Sequence, residues 1–105
     1  MQSFDHFVPP KSVKLLKCWI DELGAKVVVS RARKTKLGDF KVRNNRLIVS
    51  VNNNLNSYSF LITLTHELAH AFVFDKYQNR VKPHGKSWQL TFQSLMLNFL
   101  NPDCF

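Results

Sequence analysis

The sequence predicts a single α+β domain in which one helix is followed by three strands and then by two further helices. Its length of 105 residues fits one domain, and 45% hydrophobic residues with nine Phe but only three Gly indicate a globular chain. Apolar residues recur at helical spacing in three segments, and β-branched or aromatic residues dominate three others. We therefore expect one domain over residues 1–105, with residues 1–10 as an N-terminal arm.

The first helix is predicted to follow Pro9-Pro10. A glycine, Gly24, stands where such a helix would end. The apolar residues between them recur at intervals of three and four and form one stripe: Val13, Leu16, Ile20 and Leu23.

Three strands are predicted next, over residues 26–30, 38–43 and 46–51. Asn44-Asn45 separates the second strand from the third, and asparagine tolerates the positive φ that a tight hairpin turn requires. We therefore expect a small, mainly antiparallel three-stranded sheet.

Two helices complete the prediction. A long helix over residues 57–74 has a broad apolar face, and either Asn56 or Ser57 is placed to cap it. A C-terminal helix is predicted from Ser87 to about Leu100, because Asn101-Pro102 would end it.

The long helix contains an HExxH pattern, His66-Glu67-Leu68-Ala69-His70. Residues four apart lie on one side of a helix, so both imidazoles can be directed at one ion, while Glu67 can reach a bound water without being a ligand. Zinc would lower the pKa of that water to roughly 7, and the glutamate would take its proton as it attacks a polarised carbonyl. Since a chance match has a probability on the order of 0.3%, the pattern favours metal-assisted hydrolysis over an ordinary polar helix face.

A zinc site needs a third protein ligand. No glutamate follows Glu67, which excludes peptidases with a downstream glutamate ligand, and the metzincin pattern would need glycine at Val73 and histidine at Lys76. Two candidates remain, Asp75 and His84. His84 is favoured because the flanking proline and glycine define a loop that can fold back over the helix, whereas Asp75 is more typical of a solvated helix end.

The HExxH segment followed by His84-Gly85-x-x-Trp88 resembles the SprT-like family of zinc metallopeptidases, which includes the Spartan-type proteases that degrade proteins crosslinked to DNA. The segments 35–40 and 46–52 resemble the hairpin before that family's catalytic helix, and the resemblance extends over about residues 13–100. It implies a zincin-like minimal metallopeptidase domain with His66, His70 and His84 as Zn²⁺ ligands and Glu67 as general base. It also implies that a substrate chain adds as an extra strand beside residues 47–51.

In its cysteine content the chain differs from many members of that family, which carry a C-terminal zinc ribbon. This chain has only Cys18 and Cys104 and no CxxC pair, so we expect no C-terminal zinc ribbon and a reduced, cytoplasmic compartment. No segment approaches the roughly 18 apolar residues of a membrane helix, and we expect no membrane partner.

The net charge of +8 points towards a polyanionic partner. Between residues 31 and 46 a single acid, Asp39, stands among seven basic residues: Arg31, Arg33, Lys34, Lys36, Lys41, Arg43 and Arg46. They are either solvated charges that discourage aggregation at a strand edge or a nucleic-acid contact surface.

Two functions follow from these observations. The first is a zinc-dependent endopeptidase that acts on a protein or peptide, with DNA-associated or DNA-crosslinked proteins as one substrate class and a nucleoid or nuclear location in that case. The alternative is a basic nucleic-acid-binding module with a structural or idle zinc site. Salt-dependent DNA binding without cleavage would favour the second.

Overall fold

The computed structural model describes residues 3–78 and 82–100. Two short 3₁₀ turns, Phe4–Phe7 and Pro10–Ser12, precede the elements in this order: α1 (Val13–Leu23), β1 (Lys26–Ser30), β2 (Gly38–Arg43), β3 (Arg46–Asn52), α2 (Ser57–Tyr77) and α3 (Lys86–Leu97). The α+β class and the predicted element order are confirmed. The last helix ends at Leu97, about three residues before its predicted end near Leu100, and Asn101-Pro102 lies outside the described residues.

The helix α1 ends as its sequence predicts. Gly24 adopts a left-handed φ of 63°, and its N–H donates to the carbonyls of Ile20 and Asp21. A residue without Cβ takes this conformation at low cost, which is why the glycine terminates the helix. The inner face of α1 buries Leu16 and Trp19.

The sheet has the strand order β1-β3-β2, with β3 in the centre. β2 and β3 form the predicted hairpin, and its turn residues Asn44 and Asn45 have φ values of 53° and 62°. β1 instead pairs in parallel with β3, so the sheet is mixed rather than mainly antiparallel.

The connection from β1 to β2 explains this topology. Residues 31–37 carry the chain past the end of β3 to the far edge of the sheet, and the hairpin then returns β3 between the other two strands. The buried Asn52 holds this crossing in place, since its side-chain amide donates to the carbonyls of Lys36 at 2.7 Å and Arg33 at 3.3 Å.

The central position of β3 corrects one expectation. A substrate strand was expected to add beside residues 47–51, but β3 pairs with β1 on one side and with β2 on the other. Its backbone groups are therefore used within the sheet, and β2 is the edge strand that borders α2.

The helix α2 is the central element of the core. The Asn56 side chain caps it by accepting from the Ser59 N–H at 2.9 Å, and the helix extends three residues beyond the predicted end. Its fully buried apolar residues are Phe60, Leu61, Leu64, Leu68, Ala69 and Ala71. Within residues 3–78 and 82–100, no helix has both the length and the apolarity needed to cross a bilayer.

Candidate metal centre

Three histidine side chains converge at one point above α2. His66 and His70 lie one turn apart on α2, and His84 comes from the loop before α3. The Nε2 atom of His84 is 3.1 Å from that of His66 and 2.9 Å from that of His70. Tetrahedral ligands that bind zinc at 2.0–2.1 Å lie about 3.3 Å apart, so these nitrogens have nearly the spacing of ligands on a single ion. The three histidines are positioned to hold a metal ion.

A tight turn places His84 over the helix. Its φ of 58° is in the left-handed region, which few residues other than glycine adopt. The Gly85 N–H donates to the Lys82 carbonyl at 3.1 Å, and the side-chain amide of Gln89 donates to the His84 carbonyl at 3.2 Å. The turn is thus fixed at both ends, as the sequence had predicted for a loop that folds back.

Asp75, the other candidate for a third ligand, does not join this group. Its side chain is exposed near the end of α2. In the described part of the chain, the three histidines are the one cluster of at least three potential metal-binding side chains. The geometry therefore favours His84 over Asp75 as the third metal ligand.

Glu67 lies beside the histidines but is turned towards the sheet. It is only 8% exposed, and its carboxylate Oε2 is 3.9 Å from Nε2 of His66. Burial and, secondarily, the negative charge of Asp39 raise the pKa of Glu67 to about 7, although Arg33 and Lys36 oppose the shift. A carboxyl group with a pKa near neutrality is suited to accept and release a proton.

The imidazoles on α2 favour their neutral form. Burial lowers the pKa of His66, with a further contribution from His84. For His70, burial together with His84 and His66 lowers the pKa to about 4. Because a metal ion binds the neutral imidazole, both side chains are in the binding form over a wide pH range.

The histidines and Glu67 line a cleft of about 790 Å³ between β2 and α2. Residues 38–42 form one wall, and α2 forms the other with Val73 and Phe74. The rings of Phe40 and Phe74 lie 5.9 Å apart across it, so the cleft is apolar beside the histidines.

The position of β2 as a wall of the cleft was not predicted, although Gly38 carries a sequence signal for it. A Cβ atom at Gly38 would lie 2.7 Å from Cγ2 of Thr63, 3.0 Å from the Ser50 carbonyl oxygen and 3.1 Å from Cγ of Glu67. A glycine inside a strand often marks such a close approach. Its absent side chain lets β2 lie directly against Glu67.

The basic residues between positions 31 and 46 do not all behave alike. Arg33 is half-buried, and its guanidinium donates to the Asn52 side chain at 2.7 Å and to the Ser50 hydroxyl at 2.9 Å. Arg33 therefore braces the crossing from β1 to β2. The six exposed residues are Arg31, Lys34, Lys36, Lys41, Arg43 and Arg46.

Comparison with known proteins agrees with the motif. The model of the SprT-like family matches residues 13–102, a segment that contains the three histidines and Glu67. Searches among curated proteins and among solved structures found no match. Since the family match spans most of the chain and includes the entire candidate metal centre, the chain belongs to the SprT-like family.

Proposed function

We propose that this protein is a zinc-dependent endopeptidase. The observation that supports the proposal most directly is the convergence of three histidine Nε2 atoms beside a buried glutamate, inside an open cleft. Membership in the SprT-like family is consistent with it.

The donor set supports zinc as the metal. Imidazole nitrogens suit zinc, copper, iron and nickel, and three protein ligands with a further open position are typical of catalytic zinc sites. His66, His70 and His84 would hold the ion. When bound, it would supply Lewis-acid polarisation of a peptide carbonyl and increase the acidity of water.

Glu67 would act as the catalytic base. Its carboxylate accepts a proton from the water whose oxygen bonds to the peptide carbon, and it delivers this proton to the departing amine as the C–N bond breaks. Water is thereby divided between the two products, and the glutamate returns to its initial state. The pKa of about 7 lets the same group perform both transfers near neutral pH.

The free edge of β2 would bind the substrate backbone. The Asn52 N–H donates to the Leu37 carbonyl at 2.8 Å, which fixes the hydrogen-bonding pattern between β2 and β3. Along β2, residues whose backbone N–H and C=O groups point towards β3 therefore alternate with residues whose groups point away from it. The backbone groups that point away from β3 are those of Gly38, Phe40 and Val42. An extended peptide that pairs with them would lie along the cleft and pass the histidines.

We also propose that the substrates include proteins associated with DNA. Six exposed basic side chains lie on the β2–β3 hairpin and on the segment that leads to it. β2 is also a wall of the cleft, so DNA held by these charges would lie close to the site of cleavage.

Replacement of Glu67 by glutamine tests the peptidase proposal. Glu67→Gln should retain about one zinc per chain, because the ligands are unchanged, and should lose about 10²–10⁴-fold in kcat/KM for an unfolded protein substrate. Zinc content is measured by atomic emission and cleavage by gel densitometry.

Asp75→Asn serves as the matched control, since it neutralises an exposed carboxylate on the same helix and should preserve cleavage. Undiminished cleavage by Glu67→Gln would rule out this glutamate as the base. A parent protein that binds zinc and DNA but cuts no protein would favour the alternative of a nucleic-acid-binding module with an idle zinc site.

A further inference from the structure

We propose that Trp88 is a positioning residue that holds the three histidine rings in their metal-binding arrangement. The proposal rests on the metal site of the proposed function and extends it to a side chain that is not itself a ligand. Trp88 is the third residue of α3, and its half-buried indole lines the same cleft as the histidines.

One indole ring contacts all three imidazoles. The ring centroid of Trp88 lies 4.7 Å from that of His66, 5.3 Å from that of His70 and 4.7 Å from that of His84. The indole stacks on His70 with an interplanar angle of 24° and meets His84 edge-on at 86°. A residue that touches every ring of the cluster restricts the orientation of each one.

A hydrogen bond ties the indole to the helix that carries two of the histidines. Nε1 of Trp88 donates to the His66 backbone carbonyl at 3.3 Å. The bond joins α3 to α2 at the first residue of the HExxH pattern. It therefore fixes the indole relative to the backbone from which His66 and His70 project.

Ring packing on the indole can orient the histidines, a function that hydrogen-bond acceptors perform in many metal sites. A ligating histidine usually donates its second ring N–H to a carboxylate or a carbonyl, which fixes the ring orientation. In the described residues, the hydrogen bonds of these three rings join their Nε2 atoms to one another. Ring packing on Trp88 would then provide the orientation that such acceptors provide elsewhere.

Phe92 supports Trp88 from behind. One turn along α3, its ring is parallel to the indole, with centroids 5.1 Å apart and an interplanar angle of 7°. Phe92 also packs against the main hydrophobic core. His70, the indole and the phenyl ring thus form a continuous stack that connects the metal site to the core.

Zinc affinity of Trp88 variants tests this role. In competition with a chromophoric chelator, Trp88→Leu should bind Zn²⁺ about 10–100-fold more weakly, because leucine fills space but offers no planar surface. Trp88→Phe keeps an aromatic ring but loses the hydrogen bond and part of the packing surface, so its loss of affinity should be smaller than that of Trp88→Leu. Leu90→Ala is the control on the same helix, since Leu90 is 56% exposed, and it should bind zinc as the parent does.

Two spectroscopic measurements separate positioning from a general loss of stability. The visible absorption of bound Co²⁺ reports ligand geometry and should change in Trp88→Leu, with circular dichroism to confirm that the variant is folded. The chain has two tryptophans, so Trp19→Phe leaves Trp88 alone, and its emission should be quenched when Co²⁺ binds.

The outcomes distinguish this proposal from the previous one. Parental zinc affinity and an unchanged Co²⁺ spectrum in folded Trp88→Leu would overturn the positioning role and leave the peptidase proposal intact. If Trp88→Leu fails to fold, the fluorescence of the Trp19→Phe protein provides the test. Co²⁺ binding that does not quench the Trp88 emission would refute the contact between the indole and the metal-binding histidines. A parent protein that binds neither metal would overturn both proposals.

Discussion

At Gly38 the absence of a side chain determines how closely β2 approaches Glu67, the proposed catalytic base. The Cβ of an alanine there would lie 3.1 Å from Cγ of Glu67 and even closer to Thr63 and Ser50. The 2.7 Å contact with Thr63 cannot persist, and the other two contacts require the Ser50 carbonyl and the Glu67 side chain to shift by a few tenths of an ångström. We expect Gly38→Ala to lower the free energy of unfolding by about 1–3 kcal/mol and to displace the carboxyl group of Glu67.

Gly24→Ala is the matched control for this prediction. Gly24 has a φ of 63° and no neighbour within 4 Å of an added Cβ, so alanine should cost about 1–2 kcal/mol through backbone strain alone. Urea denaturation and peptidase assays below the unfolding transition compare the two. If both variants retained parental activity, Gly38 would serve stability only.

His84, the proposed third metal ligand, gives a second prediction at the scale of the residue. His84→Ala removes one of three converging nitrogens, so zinc affinity should fall by more than the roughly 100-fold that changes around a ligand set cause. Asp75→Ala should leave it unchanged, because Asp75 lies outside the cluster. Chelator competition measures the zinc affinity of both variants, and a parental affinity in His84→Ala would contradict the three-histidine site.

The sequence predicted the candidate metal centre better than its surroundings, for a physical reason. His66 and His70 are four residues apart on one helix, so local geometry alone brings them together, and elimination of other ligands left His84 or Asp75. Arg33 was grouped with exposed charges, because the acceptors that bury it, Ser50 and Asn52, lie 17 and 19 residues away. Such long-range contacts leave no local pattern.

At the scale of the element, local signals again determined what was predictable. Gly24 correctly predicted the end of α1, and the Asn44-Asn45 turn correctly predicted the hairpin, although β3 extends one residue beyond its predicted end to Asn52. The parallel pairing of β1 with β3 depends on the path of residues 31–37, which periodicity does not encode. For this reason the expected pairing of a substrate with β3 was wrong, and we propose β2 for that role instead.

The edge role of β2 leads to a prediction about its backbone. The N–H of Val42 points away from β3, so Val42→Pro should preserve the sheet and the zinc site but remove one donor to the substrate. A hydrogen bond of about 0.5–1.5 kcal/mol corresponds to a loss of up to about 10-fold in kcat/KM. Steady-state cleavage of a peptide substrate measures it.

Lys41→Pro provides the contrast, because the N–H of Lys41 points towards Ile48 on β3. This variant should lose about 1 kcal/mol or more of folding stability. Equal activity in the parent and in Val42→Pro would mean that the substrate does not pair with this edge.

At the scale of the whole molecule, six of the basic residues behind the charge of +8 are exposed on the β2–β3 hairpin and on the segment that leads to it. Arg43 and Arg46 face each other at the end of the hairpin, and both side chains are exposed. Like charges placed opposite each other repel, so the pair costs stability unless an anion is bound. This arrangement is consistent with a polyanion that contacts the hairpin.

The salt dependence of DNA binding tests that interpretation. For duplex DNA, the logarithm of the binding constant should fall linearly with the logarithm of salt concentration, and substitution of both Arg43 and Arg46 by glutamine should reduce the slope by about 2. The control replaces Lys14 and Lys17 by glutamine, which removes the same charge from α1, an element that contributes no described residue to the cleft. Fluorescence anisotropy at several salt concentrations measures the slopes. Equal slopes for the two double variants would show that only the total charge affects DNA binding. Absence of DNA binding at low salt would instead indicate that the hairpin charges serve to prevent edge-to-edge aggregation.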